Sequence, residues 1–145
     1  MPKSPPASAS AESAPQSEEE LQKLIAKRYD QLNALWTKAE ESLRKFLVPE
    51  AICHRYDTDM DDFGNETRYF ISWEKCNGTW RLCFDAVDTR DPDPGCGKPV
   101  TECSVEIRLE LVQHFPALRE KVIEAARKNV QTLDKAISDM SAYLK

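Results

Sequence analysis

Apolar and polar residues repeat along this chain with two different periods, and the changes between them mark out its elements. From Ser17 to Val48, positions set at about 100° intervals gather Leu21, Leu24, Ile25, Tyr29, Leu32, Leu35, Trp36, Ala39, Leu43, Phe46 and Leu47 on one stripe, with Lys23, Lys27, Asp30, Lys38, Glu41 and Lys45 opposite. This is the pattern of an amphipathic helix. Ser17, followed three residues later by Glu20, is a capping box that starts it. Pro49 stops it, because the residue before a proline is pushed out of the helical region. At 1.5 Å per residue the helix is about 45–50 Å long, more than a small globular domain needs.

After Pro49 the period becomes two. Asn77-Gly78, flanked by alternating runs, is the residue pair of a type I′ hairpin turn. With those two as the loop, Cys76 lies opposite Thr79, Glu74 opposite Arg81, Trp73 opposite Leu82, Ile71 opposite Phe84 and Tyr69 opposite Ala86. One face then collects Tyr69, Ile71, Trp73, Trp80, Leu82, Phe84 and Ala86, and reads as core. The other carries Arg68, Phe70, Ser72, Glu74, Arg81, Cys83 and Asp85, and reads as surface. A hairpin is marginal alone, so the aromatic face needs a helix or a further strand, which Ile52 to Asp57 could supply.

In the third section Val105, Ile107, Leu109 and Leu111 alternate with Glu106, Arg108 and Glu110, as a half-buried strand would. A longer window favours helix, because the apolar phase continues at helical spacing through Val130, Leu133, Ile137, Met140 and Leu144. The expected helix runs from Thr101 or Glu102 to Leu144, with Thr101 as cap. Pro116 imposes a kink near Val112 to Phe115, or splits the run into two consecutive helices. From Ala126 the apolar positions alternate four and three like a coiled-coil seam.

The fold class that follows is α+β, mostly α: two long amphipathic helices packed as an antiparallel pair, with an inserted β-hairpin that a third strand could extend. Residues 17–145 read as a single helical-hairpin domain with the β insertion at about 52–98. Residues 1–16, with four prolines, four serines and four alanines, read as a disordered tail with nothing to bury. The seam and the wide stripe of the first helix predict a homo-oligomer formed through the helices.

Composition narrows the function. The 145 residues carry 20 Lys+Arg against 25 Asp+Glu, a net charge of -5, so nucleic acid is not the expected partner. No apolar run has the length of a secretory signal or a membrane span, which predicts a cytoplasmic protein with no membrane contact. In that compartment the five cysteines, Cys53, Cys76, Cys83, Cys96 and Cys103, are expected as thiols. Their gaps contain no CxxC pair, so no metal or other cofactor is expected.

The charge concentrates between residues 53 and 100, where ten Asp+Glu face six Lys+Arg. Asp57, Asp59, Asp61, Asp62 and Glu66 form the densest group, but a calcium loop would need glycine and glutamate where Asp62 and Arg68 stand. Gly95-Cys96-Gly97-Lys98 lacks the hydroxyl residue of a phosphate loop and runs into Pro99. Asp62-Phe63-Gly64 matches a kinase triplet in a chain with room for nothing else of a kinase. His114 on a polar helix arc has no catalytic company.

With no catalytic residues expected, the reading is a small interaction or scaffold module that binds a protein partner through the inserted hairpin and its acidic loops. Phe70, a large aromatic beside Arg68, Arg81 and Asp85 on the polar face, is the candidate contact patch. The alternative is a metal- or thiol-dependent enzyme built on the Asp57–Glu66 cluster or on Cys76, Cys83, Cys96 and Cys103.

Overall fold

The computed structural model describes residues 17–91 and 95–145; the expected N-terminal tail, residues 1–16, lies outside them. Helix α1 (Glu18–Arg44) is followed by strands β1 (Ile52–Met60), β2 (Glu66–Cys76), β3 (Thr79–Asp88) and β4 (Lys98–Pro99). A 3-10 turn (Val100–Glu102) then leads to helices α2 (Val105–Val112) and α3 (Phe115–Tyr143). The chain divides into two compact units, 1–37 and 38–145, with the division inside α1.

In the first unit, residues 17–37 are described, and they start the helix as the capping pair directs. The Glu20 N–H donates to Ser17 Oγ at 3.2 Å, and the Ser17 hydroxyl donates to Glu20 Oε1 at 3.1 Å. Leu21, Ile25 and Leu35 on its stripe stay exposed.

The second unit is built on a four-stranded antiparallel sheet in the order β1-β2-β3-β4. Asn77 (φ 51°) and Gly78 (φ 85°) both adopt the left-handed backbone of a type I′ turn. The register is the one the turn implies, from Cys76 with Thr79 through Trp73 with Leu82 to Tyr69 with Ala86. The expectation of one core face and one surface face does not hold. Ile71, Trp73 and Leu82 are buried on the aromatic face, but Ser72, Cys76 and Cys83 are buried on the other, because the segment from Gly95 returns across it.

The architecture is also not the expected pair of antiparallel helices with an inserted hairpin. Among the described residues three helices accompany four strands, and α3 packs on β1 and β2. The physical reason is the width of the sheet. Strands of nine and eleven residues offer an apolar face broad enough to receive a helix, so the part of the third-section stripe that is fully buried, Leu111, Leu118 and Val122, lies where sheet contact is available.

Residues 105–112 are helix, not strand. The cap is Ser104, whose side chain accepts from Ile107 N–H, while Thr101 lies in the 3-10 turn. The run splits at Gln113 and His114 into two helices, and Pro116 sits in the first turn of α3, where a missing N–H costs nothing. Helix α1 ends at Arg44, four residues before the expected boundary. Leu47 takes a left-handed conformation (φ 46°) ahead of Pro49, and Asn129 Nδ2 donates to its carbonyl at 3.2 Å.

The outer edge of β3 is closed by two devices. β4 pairs only Cys83 with Pro99 and Phe84 with Lys98. Beyond it the last turns of α1 supply side chains: the Arg44 guanidinium donates to the Trp80 carbonyl at 3.0 Å, and Glu40 Oε2 accepts from Leu82 N–H at 2.9 Å. The same Glu40 oxygen accepts from Arg81 Nε at 2.8 Å, and Arg81 Nη2 donates to Thr101 Oγ1 at 3.2 Å. Glu40 is 5% exposed, so its charge depends on these two donors. Its partnership with Glu40 in turn holds the Arg81 guanidinium more firmly protonated than usual.

Glu40→Ala leaves a buried strand N–H and a half-buried guanidinium without their acceptor, and is expected to cost about 3–5 kcal/mol in denaturant unfolding. Glu40→Gln keeps an acceptor for Leu82 N–H and should cost less. Equal losses for the two variants would show that the edge contact contributes nothing of its own.

Candidate functional site

Two polar constructions stand on the two faces of the sheet. The first depends on a bulge in β1. Arg55 pairs with Phe70 and Asp57 with Tyr69, so Tyr56 is the extra residue. An unbroken strand would place Asp57 and Asp59 on the face of Arg55; the bulge moves both onto the aromatic face of Tyr69 and Phe84. They meet Ile107 and Glu110 of α2 there and enclose a hollow of about 290 Å³ lined by Tyr56, Asp57, Asp59, Tyr69, Phe84, Ile107 and Glu110.

Among the described residues, three aromatic rings and three carboxylates share this lining with no basic side chain. Tyr69 and Phe84 lie 6.2 Å apart between ring centroids, 18° from parallel, and Tyr56 stacks on His114 at 4.3 Å. The Tyr69 hydroxyl donates to Asp59 Oδ2 at 3.0 Å, which fixes the carboxylate beside the ring and raises the phenol pKa. Burial, and then the negative charges of Glu110 and Asp57, push the Tyr56 phenol up to about 12. Both phenols therefore stay protonated at physiological pH.

The second construction lies on the opposite face. Ser72 Oγ is 2.6 Å from Asp85 Oδ2 and also contacts Glu74 Oε2. One hydroxyl proton cannot serve two ionised carboxylates, so one of them carries a proton of its own. Burial, and then the hydrogen bond to Glu74, raises Asp85 to about 7. Burial also opposes ionisation of Glu74, but hydrogen bonds from Asp85, Ser72 and Gly97 outweigh it and hold that carboxyl below its usual range. Gly97 N–H donates to Glu74 Oε1 at 2.9 Å. A Cβ at position 97 would collide with the Asp85 carboxylate, so only glycine lets the loop approach this closely.

Beside these acids Cys76 and Cys96 form a disulfide with a Cα–Cα separation of 6.0 Å, and Cys83 Sγ lies 3.5 Å from Cys76 Sγ. This corrects the expectation of five thiols. Hairpin register and the returning loop bring together residues 20 apart in sequence, which spacing alone does not reveal. Buried Cys83 has its thiol pKa pushed up to about 12 by desolvation and the neighbouring Glu74 and Asp85. Cys103 is buried but turns its sulfur to the Lys98 and Pro99 carbonyls, and Cys53 is exposed on β1.

The residues expected from sequence are distributed as follows. Phe70 and Asp85 are direct cross-strand partners, Arg68 pairs with Val87 and Arg81 with Glu74, so all four share one face as the register requires. Phe70 is half-buried, and Arg68 is held by Glu66 at 2.9 Å. Arg81 is engaged by Glu40, and Asp85 belongs to the carboxylate pair. Of the Asp57–Glu66 acids, Asp57 and Asp59 come together in the hollow, and among the described residues the five form no metal-ligating cluster. Asp61 ties its own loop by accepting from Phe63, Asn65 N–H and Asn65 Nδ2, at 2.9, 2.9 and 3.2 Å, which lowers its pKa. Among the described residues, the set of possible metal-ligating groups that does converge is Glu74, Cys76, Cys83 and Cys96.

Sequence reasoning missed Tyr56, Glu110 and Glu40 as site or edge residues. Its own register already put Ser72, Glu74, Cys83 and Asp85 on one face, which was the available signal for the second cluster. Comparison with protein-family models, with curated proteins and with solved structures found no match.

In the disulfide-bonded protein Asp85 binds its proton more tightly folded than unfolded, since its pKa rises from 3.8 to about 7. The folded state then holds the extra proton, and stability falls as pH rises through that window. Asp85→Asn is expected to flatten the decline in melting temperature between about pH 4 and pH 7. An unchanged slope in that variant would show that the shared proton lies elsewhere.

Proposed function

We propose that the protein is a small cytoplasmic interaction module that grips a positively charged side chain of a protein partner in the hollow between Tyr56, Tyr69, Phe84 and the carboxylates of Asp57, Asp59 and Glu110. The observation that carries this reading is the composition of that lining: aromatic rings attract an ammonium or guanidinium group, and three acids add long-range attraction. A hollow of about 290 Å³ sits at the lower end of small-molecule sites and suits one long side chain. The net negative charge of the chain points the same way, towards a basic protein segment and away from nucleic acid.

The test is titration of the folded protein with a hexalysine peptide and with its trimethyl-lysine counterpart, followed by NMR at the Tyr56 and Tyr69 rings. Saturable shifts at both rings are expected, with binding weakened about tenfold by the double variant Asp57→Asn and Glu110→Gln. Absence of ring shifts, or affinity untouched by the double variant, would overturn the reading.

We further propose that two copies of the chain associate through α3. Val130, Leu133, Ile137 and Met140 are more than half exposed, and Leu144 is 77% exposed. In a heptad frame Val130, Ile137 and Leu144 take a positions and Leu133 and Met140 take d. β-branched residues at a with leucine at d favour a parallel two-stranded seam. Asn129, Ala136 and Tyr143 at g face Asp134 and Ser141 at e, so no like charges oppose pairing. Light scattering should give twice the chain mass at micromolar concentration, reverting to the single mass in Leu133→Asp, Ile137→Asp with the sheet's circular dichroism retained. A monomeric parent protein would rule the seam out.

A further inference from the structure

The sulfur and carboxylate cluster has more ligand atoms than a disulfide uses. We propose that Cys76, Cys83, Cys96 and Glu74 form a zinc site in the reduced protein, and that the Cys76–Cys96 disulfide is its metal-free form.

The ligand atoms of these four residues all lie within 4.8 Å of one another. A tetrahedral zinc ion with sulfurs at about 2.3 Å sets its sulfurs roughly 3.8 Å apart, and Cys76 Sγ and Cys83 Sγ already stand at 3.5 Å. With the disulfide open, Cys96 needs only to withdraw its sulfur to van der Waals distance from Cys76. It is exposed, between Gly95 and Gly97, and is the one ligand not held in a strand. Three soft sulfurs with one carboxylate favour zinc over calcium or magnesium.

The surroundings are those of a metal ligand set. Glu74 is oriented by Gly97 N–H on Oε1 and by Ser72 on Oε2, as second-shell donors orient ligating carboxylates. Arg81, the cross-strand partner of Glu74, is already paired with Glu40 at 2.8 Å. A divalent ion supplies the missing positive charge to a half-buried group of acids and thiols.

The chemistry balances in two steps. A dithiol reductant gives two electrons and two protons to the Cys76–Cys96 bond and leaves as its own disulfide. Zinc then replaces the thiol protons of Cys76, Cys83 and Cys96, which pass to solvent, while Glu74 binds as the carboxylate it already is. Affinity therefore falls as pH falls.

The experiment uses cobalt(II) as a spectroscopic probe on the full chain. Reduced protein, with five thiols counted, is expected to bind one cobalt with the intense visible bands of tetrahedral thiolate coordination, and zinc should displace it. Disulfide-bonded protein should give no such spectrum. Cys96→Ser and Glu74→Gln, both at positions that are not fully buried, should each weaken binding about tenfold or more, while Cys53→Ser on the far strand should bind as the parent does. No cobalt bands in fully reduced protein would overturn the proposal. So would parental affinity in Cys96→Ser, or loss of binding in Cys53→Ser.

Discussion

The two-residue turn at Asn77-Gly78 is the constraint on which the rest depends. A side chain in a strand can face only one way, so fixing one cross-strand pair fixes every other pair in β2 and β3. With Cys76 opposite Thr79, the aromatic residues necessarily fall on one face and Ser72, Glu74, Cys83 and Asp85 on the other. A slip of one residue would exchange the two sets. It would carry Trp73 and Leu82 out of the core and bring carboxylates into it. The core and the β2 and β3 residues of both candidate sites thus share one local origin, and a positive φ at both turn residues is its condition.

What the turn does not control is how the sheet ends at its sides, and there two polar devices decide the shape. On the β1 side the Tyr56 bulge reverses the phase of the strand and delivers Asp57 and Asp59 to the aromatic face. On the β3 side Glu40 and Arg44 bond the strand's free N–H and C=O groups, where an unprotected edge would invite pairing with another chain. Glu40 serves the backbone and Arg81 at once. A buried carboxylate with two donors is tolerated where one with none would shift or unfold its surroundings.

Charge explains why the two faces differ in chemistry. The three carboxylates of the aromatic hollow are exposed to water. The carboxylates of the opposite face are crowded by burial and by each other, and they respond by sharing a proton across Ser72. The same crowding lifts the Cys83 thiol to about 12. We propose the first face for transient contact with a charged side chain and the second for a firmly held ion.

The sequence by itself determined the elements whose causes are local: the Ser17 capping box, the type I′ turn and its register, and the break imposed near Pro116. Each rests on residues within one turn of helix or one hairpin. Tertiary structure alone decided the partner of each apolar face. A stripe on a helix wheel shows that something must cover it, and the choice between a helix and a sheet depends on how wide the sheet becomes. That width came from the nine residues of β1, where the alternation is interrupted by the bulge and hidden among aspartates. The meeting of Cys76, Cys83 and Cys96 was likewise out of reach. Strand register set which way Cys83 points, but only the path of the chain after Gly95 brought Cys96 across the face to meet Cys76.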